Sequence, residues 1–316
     1  MARKLILDVD TGTDDAVAIL LAALAPGLEL VGISTVNGNV TVEHATDNTL
    51  RVLALAGRED VGVHPGLSRP IVRADFPTPR DQRRGPAMHM TTLPFPPARR
   101  GAAEPGGVRF LLEATRAAAE PVTLVATAPL SNLAAALALD PALPSRVDAL
   151  VVMGGGHAVC NVTPSAEFNV WADPEAAAVV FAAGFRRVVL VPLDATHQAL
   201  VSETDCARLA GLGSAAGRAA AELIGRRIAA HATLRDLAER AAPVHDALCV
   251  AWLLRPELLS LRPAHVAVET TGRLTLGRTV MDFSGTREPA NCEVALAADR
   301  AGFADLLAEV LRLGPA

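Results

Sequence analysis

Short, uninterrupted apolar runs alternate with segments of helical length through most of the chain, and this alternation restricts the fold more than any other feature. Residues 5–9, 28–36, 122–126, 149–153 and 187–191 read as buried strands, with helices predicted over 14–25, 42–56, 130–139 and 174–183. A strand with no polar face has to be covered on both sides, the condition met by parallel strands joined through crossover helices. The expected fold class is therefore α/β: an open, doubly wound, mostly parallel sheet with helices on both faces. In such sheets ligands bind at the carboxyl ends of the strands, so the active site is expected there.

Two stretches interrupt the pattern. Residues 75–105, rich in proline and arginine, have neither a helical nor a strand period and predict a long loop. Residues 202–243 form an alanine-rich helical region that carries Arg226, Arg227, His231 and Arg235. Loops of that length in compact proteins are commonly functional, so both stretches are expected to cover the site. With no internal repeat and no clean linker, residues 1–316 read as a single domain.

Composition narrows the partners. A 51% hydrophobic chain with 20% charged residues can build a large core, and a net charge of -5 offers no basic face for a nucleic acid. The longest apolar runs, such as 16–25, are too short to span a bilayer, and the first residues lead into a strand in place of a signal-peptide core. No membrane partner is expected. The four cysteines, Cys160, Cys206, Cys249 and Cys292, form no CxxC pair, so reduced thiols and a cytoplasmic location are expected. Tyrosine is absent, which matters for any site that must stack a nucleobase.

The strongest local signal is Asp8-Val9-Asp10-Thr11-Gly12-Thr13-Asp14-Asp15, at the end of a strand and the start of a helix. Strand alternation puts Asp8 and Asp10 on one side, and Gly12 permits a tight turn. A capped helix start, with Thr13 as cap and two acids favouring the dipole, accounts for Asp14 and Asp15 but not for the other two. Carboxylates this crowded repel one another unless a proton or a cation intervenes. Oxygen-only ligands point to a hard cation, and calcium accepts irregular mixtures of carboxylate, carbonyl and water better than magnesium does. Thr127, after a strand, and Asp246, beside His245 before an apolar helix, are the best-placed further donors.

The ordered motifs DVDTGTDDA (8–16), TVNGN (35–39), TAPLSN (127–132), VMGGG (152–156), EFNVWAD (167–173), LDATHQA (193–199) and VHDA (244–247) resemble the inosine-uridine-preferring nucleoside hydrolase family nearly end to end. The resemblance implies hydrolysis of the N-glycosidic bond of ribonucleosides to ribose and free base, using a calcium-bound water deprotonated by Asp10. It implies Ca2+ held by Asp10, Asp15, Asp246 and the main-chain carbonyl of Thr127. Asp14, Asn39, Asn161, Glu167 and Asn169 would grip the ribose, Met153 would line the sugar pocket, and His245 would stand by the departing base. It also implies a role in purine or pyrimidine salvage and assembly as a homodimer or homotetramer. The division of labour suits the chemistry: an oxocarbenium-like sugar needs a poised water, electrostatic support and help for the leaving base. Calcium is too weak a Lewis acid to ionise water at neutral pH, so a neighbouring carboxylate must take the proton.

Three departures stand out. Family members usually begin the acidic loop Asp-x-Asp-Pro-Gly, where this chain has Thr11. A His-Gly-x-x-Gly-Leu-like segment that closes over the base is replaced by the stretch from Arg80 to His89, with His89 as a substitute histidine. Before His245, purine-favouring relatives carry tyrosines and an arginine, whereas this chain has Ala229, Ala232, Thr233 and Leu237, with His231 and Arg235 close by. The acid for the leaving base is thus one of His245, His231, His89 or Arg235, and the preferred base is left open. His44, His64 and His265 lack supporting neighbours and read as surface or packing residues. Two alternatives remain. An aspartate-dependent phosphohydrolase also pairs Asp-x-Asp with a cation, but wants Thr or Val where Gly12 stands. A nucleoside-binding or sensor protein with little turnover would have no need of a general base at Asp10.

Overall fold

A computed structural model describes residues 2–82, 89–232 and 240–316. The strands are β1 (Arg3–Val9), β2 (Leu28–Thr35), β3 (Gly62–Pro65), β4 (Val122–Ala126), β5 (Val147–Met153), β6 (Val188–Val191), β7 (Leu200–Ser202), β8 (Ala241–Pro243), β9 (Leu259–Val268), β10 (Thr279–Asp282) and β11 (Cys292–Ala298). The helices are α1 (Thr13–Leu24), α2 (Val42–Leu55), α3 (Gly107–Ala117), α4 (Ser131–Leu139), α5 (Phe168–Ala172), α6 (Pro174–Phe181), α7 (Leu193–Thr196), α8 (Glu203–Ala210), α9 (Ala215–Ala232), α10 (His245–Leu254) and α11 (Arg300–Leu311).

Nine strands form one sheet in the order β10-β9-β11-β6-β5-β4-β1-β2-β3. From β3 to β11 the neighbours run parallel, while β9 pairs antiparallel with β11, and β10 with β9. The mostly parallel, doubly wound expectation therefore holds, extended at one edge by the antiparallel strands β9 and β10. Successive side chains of a strand enter opposite layers, and β1 shows this: Leu5, Leu7 and Val9 join the core beneath α1, α10 and α11, while Ile6 joins the core beneath α3 and α4. Both layers are dry, which is why β1 tolerates no polar alternation until its end. Each fully buried leucine contributes roughly 1.5–3 kcal/mol by leaving water.

The chain leaves β1 for β2 on one side of it, and later inserts β4 on the other. That reversal opens a crevice above the carboxyl ends of β1 and β4, where side chains from both halves can meet. Of the two interruptions, 202–243 is helical over α8 and α9 and closes with the β7–β8 ribbon. The loop that starts after β3 contains a short 3-10 turn at Arg80–Gln82 and leads to α3. Among the described residues no helix is long and apolar enough to cross a membrane.

Candidate active site

Every sequence-predicted carboxylate near residue 10 is buried, and each is held differently. Asp8, still within β1, accepts from Ser34 Oγ at 2.6 Å and from Asn132 Nδ2 at 2.8 Å, so it braces β2 and the start of α4. Its backbone carbonyl accepts from Thr127 N at 2.9 Å, which fixes the turn after β4. Asp10 lies past the strand end and points into the crevice. Asn39 clamps it twice, N to Oδ2 at 2.6 Å and Nδ2 to Oδ1 at 2.9 Å, and the same amide reaches Asp15 Oδ2 at 3.3 Å. Gly38 is required here, because a Cβ would fall 1.8 Å from Asp10 Oδ2.

Asp14 and Asp15 occupy the first turn of α1, where the helix dipole favours negative charge. Asp15 accepts from Gly12 N at 2.9 Å and from Thr127 Oγ1 at 2.9 Å. Asp246, in the first turn of α10, arrives from the other end of the chain. One oxygen from each of Asp14, Asp15 and Asp246 lies within 4.8 Å of the others, and all three residues are buried. Such a cluster, with Asp10 alongside, is able to hold a metal ion.

Electrostatics say the same. Burial, followed by the charge of Asp15, raises the pKa of Asp10 well above the usual carboxylate value. Burial and the charge of Asp14 raise Asp15 to about 6. Asp246 is raised by burial, then by Asp14, Asp15 and Asp10. Burial also opposes ionisation of Asp14, but the Arg227 guanidinium, His89, His245 and a backbone N–H together outweigh it and hold this carboxyl below its ordinary value. Without a cation, protons must neutralise the group. An oxygen-only donor set of this kind suits a hard divalent ion.

The opposite wall follows β5. Glu167 caps α5, accepting from Asn169 N and Val170 N, and also holds Gly155 N at 2.8 Å. Burial, only partly offset by these N–H donors, raises it to about 7. Asn169 Nδ2 donates to Thr127 O at 2.9 Å and Met153 O at 3.1 Å, tying the ends of β4 and β5 together. Asn161 is exposed and accepts from Phe168 N at 3.0 Å. The backbone N–H groups of Gly154, Gly155 and Gly156 are committed to Val191 O, Glu167 and Thr279, not to a phosphate cradle.

On the remaining side, His245 Nδ1 pairs with Thr196 Oγ1 at 2.7 Å, and the His197 ring lies 5.6 Å from that of His245. His89 folds over the start of α1, with Nδ1 3.3 Å from Thr13 N and 3.8 Å from Asp14 Oδ1. Burial lowers its pKa to about 4, so it is neutral at physiological pH. Arg80 donates to Asn37 Oδ1 and Gly38 O at 2.9 and 2.7 Å, beside Asp10.

The sequence description of the inosine-uridine preferring nucleoside hydrolase family matches residues 5–305. The chain belongs to this family. It is 40% identical to the pyrimidine-specific ribonucleoside hydrolase RihA of Shewanella woodyi, covering 98% of each chain. Its structure matches a purine-preferring ribonucleoside hydrolase from Gardnerella vaginalis with a TM-score of 0.86 at 28% identity, covering 99% of this chain and 100% of that one. A plant nucleoside hydrolase matches with a TM-score of 0.86 at 30% identity, covering 98% and 99%. As a member, the chain hydrolyses ribonucleosides to ribose and base, and the aspartate-dependent phosphohydrolase alternative falls.

In this nucleoside hydrolase the structure brings Asp10, Asp14, Asp15, Asn39, Thr127, Met153, Glu167, Asn169, His245 and Asp246 around the crevice, with Asn161 at its outer edge. Arg235 lies outside the described residues, as does the side chain of His231. Some details of the sequence reading change. Thr13 does not cap α1: Gly12 holds that position, and Thr13 Oγ1 instead accepts from Arg227 at 3.1 Å. Gly12 has a φ of -93°, so its small size serves to admit the His89 ring, which a Cβ would meet at 2.0 Å. Beside Asp15 and Asp246 the structure also brings an oxygen of Asp14 within 4.8 Å, and Asp10 meets this group through its contact with Asp15. Arg227, Asn132, Ser34, Thr196 and Arg80 were not singled out as site residues. Asn132 and Thr196 sit inside quoted motifs, a signal that could have found them. His64 proves to be a packing residue, stacked on Phe110 at 3.9 Å.

Proposed function

We propose that this nucleoside hydrolase binds Ca2+ through Asp10, Asp15, Asp246 and the Thr127 carbonyl, and prefers pyrimidine ribonucleosides. The observation that carries the reading is the convergence of buried acids from residues 10–15 and from Asp246 at one crevice. The pyrimidine preference is supported by the RihA relative's specificity and by the lack of any tyrosine for stacking a larger base. When bound, the ion supplies charge that neutralises the ligand carboxylates and polarises the attacking water.

Asp10 is the general base. Its two hydrogen bonds from Asn39 fix the carboxylate while it accepts the proton of the water that attacks the anomeric carbon. The carbon–nitrogen bond to the base breaks as the carbon–oxygen bond forms. Asp14, Asn39, Asn161, Glu167 and Asn169 hold the ribose hydroxyls, and Met153 packs against the sugar. Such rigid positioning is where much of the rate arises. Thr196 orients His245 through Nδ1, so the proton offered to the leaving base is held at Nε2. Replacing His245 with Ala is expected to lower kcat by roughly 100-fold, the scale of a lost acid, with little change in KM. A defect confined to KM would remove the leaving-group role.

A panel of purine and pyrimidine ribonucleosides, scored by reducing sugar with and without chelator, tests the whole reading. Uridine and cytidine should be cleaved fastest, and only with calcium present. Faster cleavage of purine nucleosides would overturn the preference. Tight nucleoside binding without sugar release would mark a sensor. The same proposal treats residues 1–316 as one domain, covered by the 75–105 loop and the 202–243 region. It also includes nucleoside salvage, a cytoplasmic location that suits four free cysteines, and a homo-oligomeric state.

A further inference from the structure

Arg227 is the one arginine or lysine buried in the core among the described residues, at 2% exposure. It projects from α9. Its Nη1 stands 2.9 Å from Asp14 Oδ1 and 3.1 Å from Thr13 Oγ1, and its Nε donates to Pro243 O at 3.0 Å. One guanidinium thus bridges the start of α1 and the end of β8, just before His245 and Asp246. Those two segments supply all three carboxylates of the close cluster.

By distance alone Asp14 is as able to hold an ion as Asp15 and Asp246, since its oxygen lies within the same 4.8 Å. What separates it is its partner. Asp15 is engaged by neutral donors, Gly12 N and Thr127 Oγ1, which a cation can draw upon without repulsion. Asp14 is engaged by a fixed positive charge.

We propose that Arg227 is a positioning residue that sorts the acid cluster, holding Asp14 out of the cation's coordination sphere and keeping it for the substrate. This rests on the calcium reading above. A divalent ion attracts a carboxylate about twice as strongly as a guanidinium at equal distance, so charge alone would not retain Asp14. The further bonds to Thr13 and Pro243 anchor the guanidinium, whose planar fork cannot follow the carboxylate without losing them. The arrangement has two opposed consequences. Arg227 weakens ion binding by repulsion, and it strengthens sugar binding by preserving a carboxylate acceptor.

The test uses Arg227→Met, which keeps much of the volume and removes the charge. Calcium binding to chelator-stripped protein is measured by calorimetry, and kcat and KM for uridine are measured at saturating calcium. Calcium affinity should rise roughly tenfold, on the scale of one removed like charge near a site, while KM rises by about the same factor and kcat changes less. A packing defect alone would weaken both ligands. Unchanged or weaker calcium binding in this variant, or an unchanged KM, overturns the proposal. Arg227→Lys keeps the charge without the fork and carries the test if the Met variant does not fold. Its calcium affinity should stay near the parent value while KM rises, and an unchanged KM overturns the proposal. If the parent itself binds no calcium, the calcium reading falls and this one with it. Normal parent binding with an unresponsive variant removes this one alone.

Discussion

Asp10→Asn should leave a folded protein that releases no measurable ribose, with kcat reduced about 1,000-fold or more, on the scale of a lost general base. The substitution is nearly isosteric and removes a charge from a buried group that Asn39 clamps through its backbone and its amide. The parent carboxyl is raised by burial and by Asp15, so removing its charge relieves repulsion, and the fold should not suffer. Single-turnover cleavage of uridine, beside a thermal melt, checks both halves. Turnover close to that of the parent, at normal stability, would take the proton acceptor away from Asp10.

Removing the cation should have the second largest effect, and its size depends on pH. In the ion-free protein Asp15 is raised to about 6, and Asp10 and Asp246 are raised above the ordinary carboxylate value. Asp8, about 6, and Glu167, about 7, are raised by burial in the same direction. A raised carboxylate binds more protons folded than unfolded. Its stabilising contribution is complete below about pH 4 and is lost as pH rises through the folded value. Asp14, lowered beside Arg227, opposes this trend as a single group against five. Chelated protein should therefore melt at lower temperature as pH rises from about 4 to 7. On the proposed calcium reading the bound ion would hold its ligands ionised, so the loaded protein should gain over the same window. At pH 7.5 the two melting curves should differ by roughly 5–10 °C, the scale expected for a ligand far above its dissociation constant. Identical curves at every pH would mean that no ion is gathered by these acids. Asp246→Ala should shrink the gap and weaken calcium binding.

The sequence disclosed the frame well because its signals are local or periodic. A strand buried on both faces cannot alternate, so β4 and β6, and β1 and β5 over most of their length, stand out as apolar runs. The motifs also pointed to much of the crevice lining, since Asp10, Asn39, Glu167 and Asn169 lie beside strand ends or helix starts. Contacts made by side chains far apart in sequence were not legible. The pairing of Arg227 with Asp14 spans more than two hundred positions, and an alanine-rich helix with arginines looks like a solvated one until its inward face is known. Similarly, the strands β9, β10 and β11 mix polar and apolar residues because they are less fully covered, which blurs their period.

The crevice at the reversal of strand order has a consequence for biosynthesis. Its acids are made far apart in translation, Asp10 to Asp15 before α1 is complete and Asp246 only after α9, so a nascent chain carries an incomplete cage until the ribosome has passed α10. Ion uptake should report completion of the fold, and products terminated before α10 should show no calcium-dependent protection from proteolysis.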